Sequence, residues 1–435
     1  MEDDLTQRVS PEARRTPRAS AIAALRSGTV RVAVGLGFFG LSTYAFTAVV
    51  LRALGPGQFA DFNLFWGLAY GLGLGAMLPF EQEVSRRTAT AVHSGGHVGP
   101  VLSAAGIVST AFGVALALVA LPFVLASGHP GAGTLWVITL CAFLTLGIAY
   151  VSRGALSGRG SFGRYSGQLI AEGSVRLVLV GVCVVAGFAS TWGYAAIVPV
   201  ALTVAVALTW PRKDRPERTS VPVVRNMAGM MAPLLVASVI SLTLVNLGPV
   251  AIRYVQDSPN PSHDGSYLAA AFIARLPIFA FAAVQAVLMP RLARSVAQRD
   301  AAGFRGTVLR VLALTAALGV VAVGAVAVAG PWLLGLLGGP QYHLGRFDMV
   351  LLTVGFACYL LTLVLQPAAV ALGRHRASAG IWVLGAVTFL LAWLLPTDAS
   401  TAVSLAVAAV SLTVSAGLAT LVWRALARDF PQRTA

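Results

Sequence analysis

The chain has 435 residues, of which 57% are hydrophobic and 11% charged, with a mean hydropathy of +0.80. Soluble domains carry roughly a quarter charged residues, so this composition excludes a water-soluble protein. At about 20 apolar residues per membrane-crossing helix, some twelve spans take up the length and leave no room for a second folded domain.

In chain order, the N-terminal 27 residues open with Glu2, Asp3 and Asp4, mix in five arginines and show no short apolar core with a small-residue cleavage site, so no secretory signal is expected. Apolar stretches then predict spans at 30–51, 59–80, 101–126, 134–151, 166–188, 192–210, 228–251, 267–289, 308–337, 347–371, 378–395 and 401–423. Backbone groups have no water to bond in hydrocarbon, so each stretch is read as a helix. The expected fold is an all-α polytopic membrane protein of about 12 transmembrane helices in two six-helix halves. Its parts are a cytoplasmic segment 1–29, a first half 30–210, a basic linker 211–227, a second half 228–424 and a cytoplasmic tail 425–435.

The net charge of +15 has to be located before it is read as affinity for nucleic acid. Twenty-six basic residues fall in the N-terminus, the even-numbered connections and the C-terminus, and three, Arg52, Arg253 and Arg346, fall in the odd-numbered ones. By the positive-inside rule both termini are cytoplasmic. The charge is therefore topological, no nucleic-acid partner is expected, and the cluster Arg212, Lys213, Arg215, Arg218 and Arg225 faces the cytoplasm beside membrane lipids. Cys141, Cys183 and Cys358 sit inside predicted helices as small apolar packing residues. One lysine among thirty arginines, on an alanine-rich background, suggests a GC-rich bacterial genome.

Two segments echo each other at half-chain spacing. Phe59 to Arg86 and Tyr267 to Arg294 are each separated by 27 residues, and Gly158-Arg159 after the fourth span echoes Gly373-Arg374 after the tenth. Two like-oriented halves imply a cleft between them, where transporters place substrate near the midplane.

Ionisable residues inside spans are site candidates because each is costly in lipid. Arg275 lies about eight residues, or ~12 Å, into the eighth span, and Arg176 about eleven residues, or ~16 Å, into the fifth. Glu172 precedes Arg176 by four residues, the favourable order for an ion pair within one helix, so that pair can neutralise itself. The helix of Arg275 contains no Asp or Glu, so its partner must come from another helix, water or ligand. Gln168, Asn63, Asn246 and Gln285 rank second, as groups that more often bond between helices. Pro79, Pro122, Pro199, Pro233, Pro277 and Pro367 interrupt or end helices, mostly as ordinary kinks; Pro277 and Pro290 are the hinge candidates. Trp66, Tyr70, Trp192, Trp382 and Trp393 are read mainly as an interfacial belt.

No Gly-rich Lys-Ser/Thr phosphate loop, His-Glu-x-x-His or Gly-x-Ser-x-Gly pattern occurs. The first outer connection, Arg52 to Gln58, is short and holds no acid, so no catalytic activity, metal or cofactor is expected.

The stretch Tyr267-Leu268-Ala269-Ala270-Ala271-Phe272-Ile273-Ala274-Arg275-Leu276-Pro277, ending in Leu288-Met289-Pro290-Arg291-Leu292, resembles the eighth-helix pattern of the multidrug, oligosaccharidyl-lipid and polysaccharide (MOP) exporter superfamily. Leu54-Gly55-Pro56-Gly57-Gln58-Phe59 is similar to the turn after the first span in its Wzx-like polysaccharide flippase branch. That branch is favoured over lipid II flippases, because the first span carries no charge from Val32 to Leu51 and Ala274 stands where an acid often precedes the arginine. The resemblance implies a bacterial plasma-membrane flippase that moves a polyprenyl-diphosphate-linked oligosaccharide outward by alternating access, for envelope or exported polysaccharide. In that reading Arg275 and Arg176 hold the diphosphate, with Glu172 and Gln168 beside them, and glycosyltransferases or a polymerase of the same pathway are partners. Two other classes stay open. One is a cation-coupled drug or metabolite antiporter working through Glu172, and the other a non-transporting scaffold of a polysaccharide synthesis complex.

Overall fold

A computed structural model describes residues 28–126, 131–210, 216–232, 235, 252 and 260–429. All regular structure among them is helical. Helix α1 is Gly28–Ala53. The next rod begins as α2 (Pro56–Trp66), loosens into a π-helical stretch at Gly67–Gly73 and continues as α3 (Leu74–His93). Then follow α4 (Gly99–Ala126), α5 (Ala132–Gly158), α6 (Phe162–Val185) and α7 (Thr191–Thr209).

Residues 221–232 are helical; most of the span expected at 228–251, including Pro233 and Asn246, lies outside the described residues, as do 1–27, Arg212, Lys213, Arg215 and the last six residues. The second half resumes with α8 (Pro261–Ala274) and α9 (Leu276–Ala297), followed by α10 (Ala301–Gly338), α11 (Arg346–Ala371), α12 (His375–Trp393) and α13 (Ala399–Asp429).

Nine helices among the described residues are long and apolar enough to cross a membrane. The eighth expected span is one rod broken in the middle. Pro277 brings no N–H for the carbonyl of Ile273, and the chain turns at Arg275 between α8 and α9. By contrast Pro79, Pro122, Pro199 and Pro367 lie inside continuous helices. Large apolar side chains such as Val320, Val328 and Trp332 on α10 and Leu384, Leu390 and Leu391 on α12 are exposed, which suits a lipid-facing surface. Cys141 is exposed on α5 rather than packed, a correction to the sequence reading.

The same neighbours recur in the two halves. α3 and α4 pack on α5, which packs on α7 beside α6; α9 and α10 pack on α11, which packs on α13 beside α12. The connecting turns repeat as well. After α5 the chain passes through Gly160 (φ 68°), and after α11 through Gly373 (φ 71°). In each the next N–H, from Ser161 or Arg374, bonds back to Leu156 or Ala369, the Schellman arrangement in which glycine takes the left-handed position. The partner of Gly373 is thus Gly160, which moves the expected Gly158 echo by two residues. Gly158 instead serves packing, since a Cβ there would meet the carbonyl of Ser85 at 2.4 Å, and its absence lets α3 and α5 touch. After α3 the turn uses Gly95 (φ 69°), and after α9 it uses Arg299 (φ 54°).

Between the halves, α2 packs on α8, and α1 packs on α9 and α10. The seam is tightest at the face whose connections are poor in arginine. There a Cβ on Gly265 would lie 1.8 Å from the carbonyl of Pro56. Tyr342 donates to the carbonyls of Leu51 and Leu54 at 3.1 and 2.7 Å, and Arg52 to that of Leu336 at 3.1 Å.

Gly265→Val should force this crossing apart. A cysteine at buried Ser266 should then react several-fold faster with a membrane-impermeant maleimide than in the Gly265 background. An unchanged rate would mean that the crossing is not what closes this face.

Candidate functional site

Two arginine sites, one buried and one half-buried, lie on either side of α1. In the first half, α1 and α6 come together through small residues: a Cβ on Gly173 would meet the Ser42 hydroxyl at 2.3 Å, the close approach that small residues allow between membrane helices. This brings Thr43 of α1 over Arg176 of α6, and Arg176 Nη1 donates to Thr43 Oγ1 at 2.9 Å.

Glu172 is the centre of that cluster. Arg176 Nη2 reaches Glu172 Oε1 at 2.6 Å and Arg153 Nη2 reaches Oε2 at 2.5 Å. Tyr70 donates to Oε1 at 2.9 Å and accepts a bond from Arg176 Nη2. Arg176, Glu172 and Arg153 are 0, 1 and 3% exposed. The ion pair expected within α6 is present, and a second arginine clamps its other oxygen. Arg153, counted among loop arginines in the sequence reading, lies within α5 in the core, a correction that leaves the topological asymmetry intact. Glu81, bonded by the Tyr165 hydroxyl at 2.8 Å, acts on Arg153 electrostatically. The formal charges of Arg153, Arg176, Glu172 and Glu81 cancel. Aromatic rings line the rest: Arg176 lies 5.0 Å from the Tyr70 ring centroid and 5.3 Å from Phe39, distances of cation–π contact.

Tyr70 sits in the π-helical stretch and stacks on Trp66 at 4.3 Å. Trp66 and Tyr70 therefore belong to this cluster and not to an interfacial belt, which corrects the sequence reading; Trp192 is exposed. Such π stretches recur at functional sites. Gln168 is fully buried, accepts from Ser152 at 3.2 Å and donates to the Ala149 carbonyl at 3.3 Å, so both ends of its amide are engaged in joining α6 to α5. Gln285 and Pro290 lie within α9, and their side chains are outside what the structure describes.

The second site is Arg275, at the break between α8 and α9. Its guanidinium lies over the Phe356 ring of α11 at 4.8 Å, within electrostatic reach of the hydroxyls of Tyr44, Tyr359 and Tyr267. Tyr44 of α1 meets Phe272 of α8 with ring centroids 4.8 Å apart and the planes tilted by 33°. Among the described residues no carboxylate acts on Arg275, and its Nη2 is buried without a hydrogen-bond partner. Tyr44 follows Thr43, so consecutive residues of α1 address the two sites. The lone charge is half-buried, in the seam, on a broken helix, where a planar fork of donors suits phosphate or carboxylate. The sequence reading missed Arg153, Tyr44, Tyr70 and Tyr359. A usable signal was the tyrosines: six of the nine in the chain surround these two sites.

No family model matches the chain. It is similar to "Uncharacterized protein Rv1510" of Mycobacterium tuberculosis (strain ATCC 25618 / H37Rv), 26% identical over 395 residues that cover 85% of this chain and 86% of that one. "Uncharacterized protein Mb3654" of Mycobacterium bovis is 25% identical over 391 residues, covering 87% and 88%. Among solved structures, an inward-facing multidrug resistance MATE family transporter of the MOP superfamily superposes with a TM-score of 0.73 at 13% identity, over 94% of this chain and all of that one. An outward-facing form gives 0.61 at 15% identity over 94% and 98%, and a point mutant of the Vibrio cholerae MATE transporter VcmN gives 0.64 at 13% over the same shares. The chain thus has the MATE fold, a multi-pass membrane fold.

The two sites should answer oppositely to charge removal. Glu172→Gln leaves the buried cluster with one uncompensated positive charge and should cost about 3–5 kcal/mol, lowering the midpoint of heat unfolding in detergent. Arg275→Met removes a bare charge and should leave that midpoint unchanged or raise it. A large loss of stability in Arg275→Met would show that the guanidinium has a structural partner.

Proposed function

We propose that the chain is a bacterial plasma-membrane transporter that moves a polyprenyl-diphosphate-linked oligosaccharide from the cytoplasmic to the outer leaflet by alternating access of its two halves. The observation that carries this reading is Arg275: a charged fork in the seam, at a helix break, with a buried donor unpaired and no acid in reach among the described residues. A group of that kind needs an anion, and a diphosphate fits its geometry. Further support comes from the MATE fold and from the repeated packing of the two halves.

With both termini cytoplasmic, the arginine-poor face is the outer one. Its closure by Pro56, Gly265 and Tyr342 then corresponds to an inward-open state, in keeping with the higher TM-score to the inward-facing transporter. In this state Arg176 and Gln168 are sealed from the seam. The phosphate therefore falls to Arg275, while Arg153, Glu172, Arg176 and Tyr70 form a coupling element that holds the first half in one arrangement.

A second reading has its own support. A carboxylate enclosed at a π-helical stretch, as Glu172 is, suits a cation-coupled antiporter. A scaffold has less, since bare charge in a seam only lowers its stability.

The test is depletion of the protein in its host, with a membrane-impermeant reagent on spheroplasts reporting which leaflet holds the lipid-linked glycan. Wild type should clear the cytoplasm-facing intermediate and Arg275→Ala should not. Loss of a charge-assisted bond worth about 1.5–3 kcal/mol corresponds to an affinity roughly 10- to 100-fold weaker, and Arg275→Lys should fall between. Unchanged glycolipid pools on depletion would reject the flippase. Loss of activity only in Glu172→Gln would then favour the antiporter.

A further inference from the structure

The turn after α3 and the turn after α9 occupy matching places in the two halves but differ in charge. In the first, Glu83 binds Arg86 at 2.8 Å and Arg87 at 2.6 Å, and the Arg86 hydrogen bond holds its carboxyl below the usual carboxylate range. In the second, Arg291, Arg294, Arg299, Arg305 and Arg310 are all exposed and none has an ion pair among the described residues. The acid within this segment, Asp300, accepts from the N–H of Gly303 at 2.8 Å as the cap of α10.

Two further observations say where these charges lie. α10 has 38 residues, about 57 Å at 1.5 Å per residue, against a hydrocarbon core of about 30 Å, so its first turns stand in or beyond the headgroup layer. It is also an apolar helix with most of its surface outside the packed core, as a lipid-facing helix requires. Arg299 itself adopts φ 54°, where the matching turn uses Gly95. A bulky residue is unfavourable in that conformation, so the side chain is kept at a backbone position that glycine would fill more easily.

We propose that the α9–α10 elbow is a docking surface for anionic phospholipid headgroups of the cytoplasmic leaflet, which fix the second half against the membrane while the first half moves. The ligand is the phosphate-bearing lipid surface and not soluble phosphate. The site is independent of the substrate assigned to Arg275.

The full chain in nanodiscs of phosphatidylcholine, with or without phosphatidylglycerol, tests this by heat unfolding. Wild type should gain roughly 3–6 °C from the anionic lipid, and high salt should remove the gain. Arg291→Gln/Arg294→Gln/Arg305→Gln should lose most of the gain while unfolding like wild type in neutral lipid. Arg299→Gly should be more stable than wild type in neutral lipid yet gain less from anionic lipid, a pairing that a purely structural turn does not produce. Arg218→Gln/Arg225→Gln, in the linker, should keep the full gain. Equal loss in the linker variant, a gain retained by the elbow variants, or the same gain from inorganic phosphate in neutral nanodiscs would overturn the proposal.

Discussion

A carboxylate clamped between two guanidinium groups inside an apolar bundle is the constraint around which the first half is built. Glu172 lies on α6, Arg153 on α5 and Tyr70 on the π-helical stretch, and the second donor of Arg176 reaches α1. None of these groups can leave without exposing a charge to hydrocarbon, a cost of several kcal/mol. Four helical segments are thereby held in one arrangement by a single anion. The small residues between α1 and α6, and the bare contact of Gly158 with α3, follow from that demand, since larger side chains would hold the charged groups too far apart to bond.

The second half contains no such clamp among its described residues. Its charge at the seam is the half-buried Arg275, placed where the helix is already broken, with aromatic rings around it. The two halves therefore share packing and turn geometry but differ electrostatically: the charges of one are compensated by carboxylates, whereas the arginine of the other has no acid beside it among the described residues.

The helical, membrane-crossing character of the chain, the broken eighth rod and the arginine without a nearby acid were legible in the sequence because each is a local property. Hydropathy marks helices, a proline two residues after Arg275 marks the break, and the absence of acid in 267–289 marks the missing partner. The Glu172–Arg176 pair was legible from its spacing. Arg153 was not, since a basic residue near a span end looks the same whether it faces the cytoplasm or turns inward. Tyr70 was hidden because its partners stand 102 and 106 residues away and an aromatic residue near a span end fits an interfacial belt equally well. The shift from Gly158 to Gly160 has the same origin: a dipeptide match cannot tell a turn glycine from a packing glycine, whereas the left-handed φ can.

The crossing of Pro56 with Gly265 brings backbone against backbone, with no side chain between them to yield. It is therefore a fulcrum. The π-helical stretch starts eleven residues beyond Pro56 and the kink at Arg275 ten beyond Gly265, so both rods have stiff arms of about 15 Å ending in a compliant joint. Parting the arms by about 5 Å turns each pair by roughly 20°, the size of bend that helices take up at π stretches and prolines rather than along regular turns. The two joints are the ones that carry Tyr70 and Arg275, so any parting of the rods at this crossing would shift both charge sites together, with no separate relay between them.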